Sequence, residues 1–97
     1  MPHPIQLEPL LTIAEAARVR ALLEGALRGS QEALIDGGGV TTIDTAGIQL
    51  LVAFCREAEC RGIPVRWVAV GKAIPRVASL LGLKGALGLP SEGAADP

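Results

Sequence analysis

The sequence predicts a single small α/β domain, with a mixed sheet of about four strands and about three helices. Three observations carry that reading. Short β-type apolar runs alternate with longer runs of helical periodicity. Ninety-seven residues leave room for only one core. The clearest helix begins directly after a strand, at Ile43-Asp44-Thr45-Ala46-Gly47-Ile48-Gln49-Leu50-Leu51, where two cap-forming residues precede a continuous apolar face.

Taken in order, Ile5-Gln6-Leu7-Glu8 alternates apolar and polar between Pro4 and Pro9, as a short edge strand does. Thr12-Ile13-Ala14-Glu15 has the spacing of a capping box, a hydroxyl followed three residues later by a carboxylate. The helix it opens runs to Leu27, with Ala16, Val19, Leu23, Ala26 and Leu27 as its apolar stripe, and Gly29-Ser30 stops it. Glu15 with Arg18 and Arg20 with Glu24 stand at helical pairing offsets. Ala33-Leu34-Ile35-Asp36 reads as a buried strand, and Gly37-Gly38-Gly39 as a turn leading to Val40–Ile43. These glycines lack the Lys-Ser/Thr pair of a phosphate loop, and Asp44 would repel phosphate.

The second helix spans Ala46 to Arg61. Ile48, Leu51, Val52, Cys55 and Ala58 line its core face, widened by Leu50 and Phe54, while Gln49, Ala53, Arg56 and Cys60 line a smaller, more polar one. Gly62 and Pro64 end it. Val65–Val70 has the strongest strand propensity, with Trp67 packing on the sheet. A third helix runs from Gly71-Lys72 to Leu81, with Pro75 in its first turn and Ile74, Val77, Ala78 and Leu81 facing inward. The domain is placed at residues 5–83, and the Gly-, Pro- and Ala-rich residues 84–97 read as a flexible tail.

Composition removes several functional classes. A net charge of −1 and only two aromatic residues, Phe54 and Trp67, argue against nucleic acid, which calls for a basic surface or stacking platforms. No apolar run reaches the roughly 18 residues that span a bilayer. Met1-Pro2-His3-Pro4 has neither the basic region nor the apolar core of a secretion signal, so a cytoplasmic setting is expected. Cys55 and Cys60 on one helix stand about 140° apart, which forbids a bridge between them. The lone histidine, His3, is terminal, no carboxylates form an acid–base pair, and no metal-ligand cluster is spaced to bind. The expectation is a non-enzymatic module with no cofactor or metal.

Asp44-Thr45-Ala46-Gly47-Ile48-Gln49-Leu50-Leu51 resembles the Asp-Ser-Ser/Thr-Gly-Leu-x-x-Leu signature of STAS domains, the family of bacterial anti-sigma factor antagonists. The likeness extends over residues 5–83: the strand at Ala33–Asp36 before the motif, the helix end, turn and strand from Glu57 to Ala69, and the last helix from Gly71 with its closing Leu81-Gly82-Leu83. The family's usual opening strand has no counterpart before Ile5. The resemblance implies a signalling adaptor that docks a kinase-like regulator or receptor through Asp44, Thr45, Ala46, Gly47 and Gln49. In phosphorylation-controlled antagonists the second hydroxyl of the signature is modified. Here that position is Ala46, so the usual phosphoserine switch is absent, and Thr45 is the remaining phosphorylation candidate. The motif also resembles the Asp-Thr-Gly-Gly-Leu of the STAS subunit of bacterial phospholipid-transport ATPases, which implies a transport ATPase as partner. A chemotaxis-associated STAS protein is a further alternative. From another class stands a small-ligand binder using Gly37–Gly39 and the first amides of the second helix.

Overall fold

The computed structural model of the chain describes residues 4–28 and 31–89. Two small parallel ladders stand where one mixed sheet was expected. β1 (Ile5–Gln6), β3 (Ala33–Asp36) and β5 (Val65–Ala69) pair in the order β1-β3-β5, and β2 (Leu10–Leu11) pairs with β4 (Thr42–Ile43). Ile5 lies opposite Ile35, Ala33 opposite Val65, and Leu11 opposite Ile43. Connectivity explains why the sheet is parallel rather than mixed. A parallel neighbour needs a crossover of about a dozen residues or more. α1 (Ala16–Leu27) lies between β1 and β3 and between β2 and β4, and α2 (Thr45–Cys60) lies between β3 and β5. β1 is an edge strand, as its flanking prolines predict. The β2–β4 ladder escapes sequence reading because two residues are too few to display an alternation.

The capping box forms as predicted. The Thr12 amide donates to Glu15 Oε1 at 2.9 Å, and the Thr12 hydroxyl faces the Ala14 amide. The first turn, Ile13–Glu15, is a 3₁₀ turn, and α1 proper starts at Ala16. Val19, Leu23 and Leu27 are buried. Arg20 and Glu24 pair at 3.1 Å. Arg18 does not pair with Glu15, whose carboxylate is occupied by Thr12; it reaches Glu8 instead, with Nε 3.0 Å from Oε2. The predicted stop at Gly29-Ser30 lies outside the described residues.

α2 is the centre of the molecule, packed against α1, α3 (Ala73–Leu80), α4 (Lys84–Leu87), β4 and β5. Ile48, Leu51 and Ala58 have no exposed surface, and Val52 and Phe54 are buried beside them. Gln49, Ala53, Arg56 and Cys60 are exposed, so the two-faced reading of this helix holds. At its end Gly62 takes φ +71°, a conformation that favours glycine, and the Ile63 amide returns to the Ala58 carbonyl at 2.8 Å. Both cysteines are free. Cys60 is exposed, whereas Cys55 is half-buried and burial pushes its thiol up to about 11.

Two expectations near the C-terminus are corrected. Leu81 does not face the core; α3 stops at Leu80, and the same closing geometry, with Gly82 at φ +72° and Leu83 N 2.8 Å from Ala78 O, turns Leu83 onto the core instead. The tail expected from residue 84 is also structured as far as Leu89. α4 sets Leu87 into the core at 1% exposure, and Trp67 Nε1 donates to the Leu87 carbonyl at 2.9 Å. Residues 90–97, like His3, lie outside the described residues.

Candidate docking site at the start of α2

β4 ends at Ile43, and the next residue turns the chain into α2. Asp44 is extended (φ −111°, ψ −175°), and its Oδ1 accepts from the Gly47 amide at 2.9 Å. Its second oxygen, Oδ2, accepts from the Ile13 amide at 3.0 Å. One carboxylate therefore caps α2 and ties it to the turn that opens α1. The Gly47 amide, with help from that of Ile13, holds the Asp44 carboxyl below the usual carboxylate range, against a smaller opposing effect of desolvation.

Gly47 is buried against β2. A Cβ there would lie 2.2 Å from the Leu11 carbonyl oxygen and 2.7 Å from Ile43 Cγ1. The surface that comes close to this glycine is β2 of its own chain. Thr45, expected to share the capping role, is the first residue of the helix, and its exposed hydroxyl has no hydrogen-bond partner among the described residues.

The five sequence candidates thus divide. Asp44 and Gly47 hold the turn together. Thr45, Ala46 and Gln49 stand at its outer side, with Thr45 and Gln49 exposed and Ala46 half-buried. Thr45, Gln49 and Ala53 follow at intervals of four, so they share one helix face. Sequence reasoning missed what lies beside it. A groove of about 640 Å³ between α1 and α2 is floored by Leu23, Leu27 and Phe54. Its rim carries the Arg20–Glu24 pair and an Arg61–Glu57 pair at 2.8 Å. Ala53 borders this groove, and its place on the small-residue face of α2 is the one signal that could have indicated it.

Within the glycine turn Gly37 is packed, while Gly38 and Gly39 are exposed and a Cβ on Gly39 would meet nothing within 4 Å. A Cβ on Gly37 would meet Ile74 Cδ1 at 2.8 Å, the Gly37 amide donates to Ala69 O at 2.7 Å, and the Gly38 amide donates to Asp36 Oδ1 at 3.0 Å. A small ligand would find these amides, and that of Gly47, already bonded. Among the described residues no three His, Cys, Asp or Glu side chains converge as metal ligands.

A family model described as Mlab, STAS domain matches residues 3–90 of the chain. The chain belongs to the STAS domain family. No curated protein matches it. Within the STAS signature as it stands here, Asp44 and Gly47 are the residues that build the turn, and Thr45 and Ala46 are those the turn presents. The STAS match also runs past residue 83 and so includes α4.

The cap has a consequence in acid. A carboxyl whose pKa is lowered on folding contributes stability above its unfolded pKa and loses it as pH falls through the folded value. Asp44, Glu8 and Glu15 are all lowered, Glu8 first by its hydrogen bond from Arg18 and Glu15 first by its bond with the Thr12 side chain. Stability should therefore fall as pH drops from about 5 through the carboxylate range. Asp44→Asn, which can still cap but cannot titrate, should show a shallower fall. Urea midpoints at pH 7 and pH 3.5 test this, and parallel losses in the two proteins would assign the acid sensitivity elsewhere.

Proposed function

We propose that this STAS domain is a non-enzymatic protein-interaction module, a signalling adaptor of the anti-sigma antagonist type working without the usual phosphoserine switch. The observation that supports this reading is the arrangement of Thr45, Ala46 and Gln49. They are presented on the first turns of a helix whose start Asp44 caps and ties to the turn that opens α1. A rigid support presenting a small, accessible tip spends little entropy on docking. Ala46 has no hydroxyl to phosphorylate, so binding is set by the presence of the partner, with Thr45 as the one hydroxyl at the tip.

The same feature favours a second reading, an accessory subunit of a phospholipid-transport ATPase, because Asp44-Thr45 followed by Gly47 with no second hydroxyl fits that branch of the resemblance. A chemotaxis-type receptor complex is a third setting for the same tip. In each case the domain acts in the cytoplasm through a protein partner. No helix among the described residues is long and apolar enough to cross a membrane.

Thr45→Arg tests the shared surface. Thr45 is exposed, so the variant should fold with unchanged circular dichroism and a midpoint within a few degrees of wild type. A long cation at the centre of a docking tip should weaken the partner at least about 30-fold, the effect of losing a hot-spot contact of about 2 kcal/mol. Affinity capture from detergent-treated host lysate, wild type beside variant, reads the result by mass spectrometry. A transport ATPase lost in the variant selects the second reading, and a kinase-like regulator or receptor lost in the variant selects the first or third. Partners retained equally by both proteins would refute the docking tip.

A further inference from the structure

On the face formed by α3 and α4, a shallow pocket of about 360 Å³ is lined by Lys72, Pro75, Arg76, Ser79 and Lys84. Its charge is not balanced as it is over much of the molecule. Four arginines elsewhere are neutralised locally: Arg18 pairs with Glu8, Arg20 with Glu24, Arg61 with Glu57, and Arg66 with Glu32. Glu15, Asp36 and Asp44 are bonded to backbone amides. Among the described residues, none of the ion pairs includes Lys72, Arg76 or Lys84, and no carboxylate lines their pocket. In a chain of net charge −1, three cations with no counter-charge among the described residues therefore meet at one concave place.

The fold builds this place. Lys72, Arg76 and Ser79 follow at i, i+4 and i+7, so they share one face of α3. Pro75 is buried, which anchors the first turn of that helix to the core. Lys84 comes from the next element and is brought alongside by the turn at Gly82, where Leu83 N bonds to Ala78 O. Two elements converge on the pocket, and Leu87, buried at the end of α4, fixes the second of them.

We propose that this pocket binds a phosphate group, carried by a small phosphorylated molecule or by a phospholipid headgroup. A guanidinium, two ammonium groups and a hydroxyl supply donors to several oxygens of one tetrahedral dianion, and charge-assisted bonds of that kind are the strong ones. An anion in the pocket also relieves the mutual repulsion of the three cations. The site is separate from the Thr45–Gln49 tip and stands whether or not that tip docks a partner.

Titration of ¹⁵N-labelled protein with sodium phosphate, ionic strength held with sodium chloride, tests the site. Saturable shifts are expected in the Lys72–Leu81 and Lys84 amides and absent from Thr45–Gln49. A Lys72→Gln, Arg76→Gln double variant replaces two exposed side chains and should keep the wild-type spectrum and thermal midpoint, with phosphate binding weakened at least tenfold. Flotation with phosphatidylglycerol and phosphatidylcholine vesicles separates the sources. Retention on the anionic vesicles by wild type but not by the variant assigns a lipid headgroup, and saturable phosphate binding without vesicle retention assigns a soluble phosphate compound. Shifts that do not saturate, that appear equally in the chloride control, or that persist in the double variant would overturn the proposal, as would no binding to either probe.

Discussion

Gly47→Ala is expected to destabilise the domain by about 3 kcal/mol, near the upper end for overpacking a buried site. For a domain of this size that is a fall of about 10–25 °C in thermal midpoint. The reason is the atom the new methyl would meet. The Leu11 carbonyl oxygen would be 2.2 Å away, and it belongs to the backbone rather than to the far end of a flexible side chain. It also accepts from the Asp44 amide at 3.3 Å, so it cannot withdraw without disturbing the β2–β4 junction and the cap of α2. Gly25, inside α1, supplies the opposite case, since a methyl group there would have nothing within 4 Å. Gly25→Ala should stabilise by about 0.5–1 kcal/mol, because alanine is the better helix former and restricts the unfolded chain. Thermal and urea unfolding of the two variants measure the contrast, and similar small effects in both would mean that β2 does not press on α2.

The same glycine marks how far the site was legible in the sequence. A signature with glycine at its fourth position says that something must come close, but not what. The partner-facing interpretation is the natural one until β2 is known to exist, and β2 is two residues long with no periodicity to announce it. Asp44 is similar. Its role as a cap follows from spacing, whereas its bond to Ile13, 31 positions away, depends on tertiary structure alone. The helices were more legible because their signals are local: the Thr12–Glu15 box, the apolar face of α2, and the Gly62-to-Pro64 stop all act within a few residues. Arg18 shows the limit of such rules. Its helical neighbour Glu15 was at the right offset but already held by Thr12, so the longer-range contact with Glu8 won.

Leu87→Ala should cost about 2–5 kcal/mol, the range for removing a buried leucine side chain. Small domains have about 5–15 kcal/mol in total, so this is a large share. From sequence, Lys84–Leu87 is four residues in a glycine- and alanine-rich stretch, too short to be helical by its own propensity. What orders it is packing. Leu87 is 1% exposed, α4 lies against α2 and α3, and the Leu87 carbonyl receives the indole N–H of Trp67. Shrinking Leu87 therefore removes core contacts and loosens the cover over Trp67, the one tryptophan of the chain, so native fluorescence should shift to the red along with the loss of stability. Leu80→Ala is the matched comparison. It deletes the same atoms from a side chain 80% exposed, and should change stability by no more than about 0.5 kcal/mol. Equal effects of the two substitutions would return residues 84–89 to the status of a tail. A large effect at Leu87 alone would make α4 the closing element of the core, and the packing that holds Lys84 beside Arg76 would then be part of the fold's own stability.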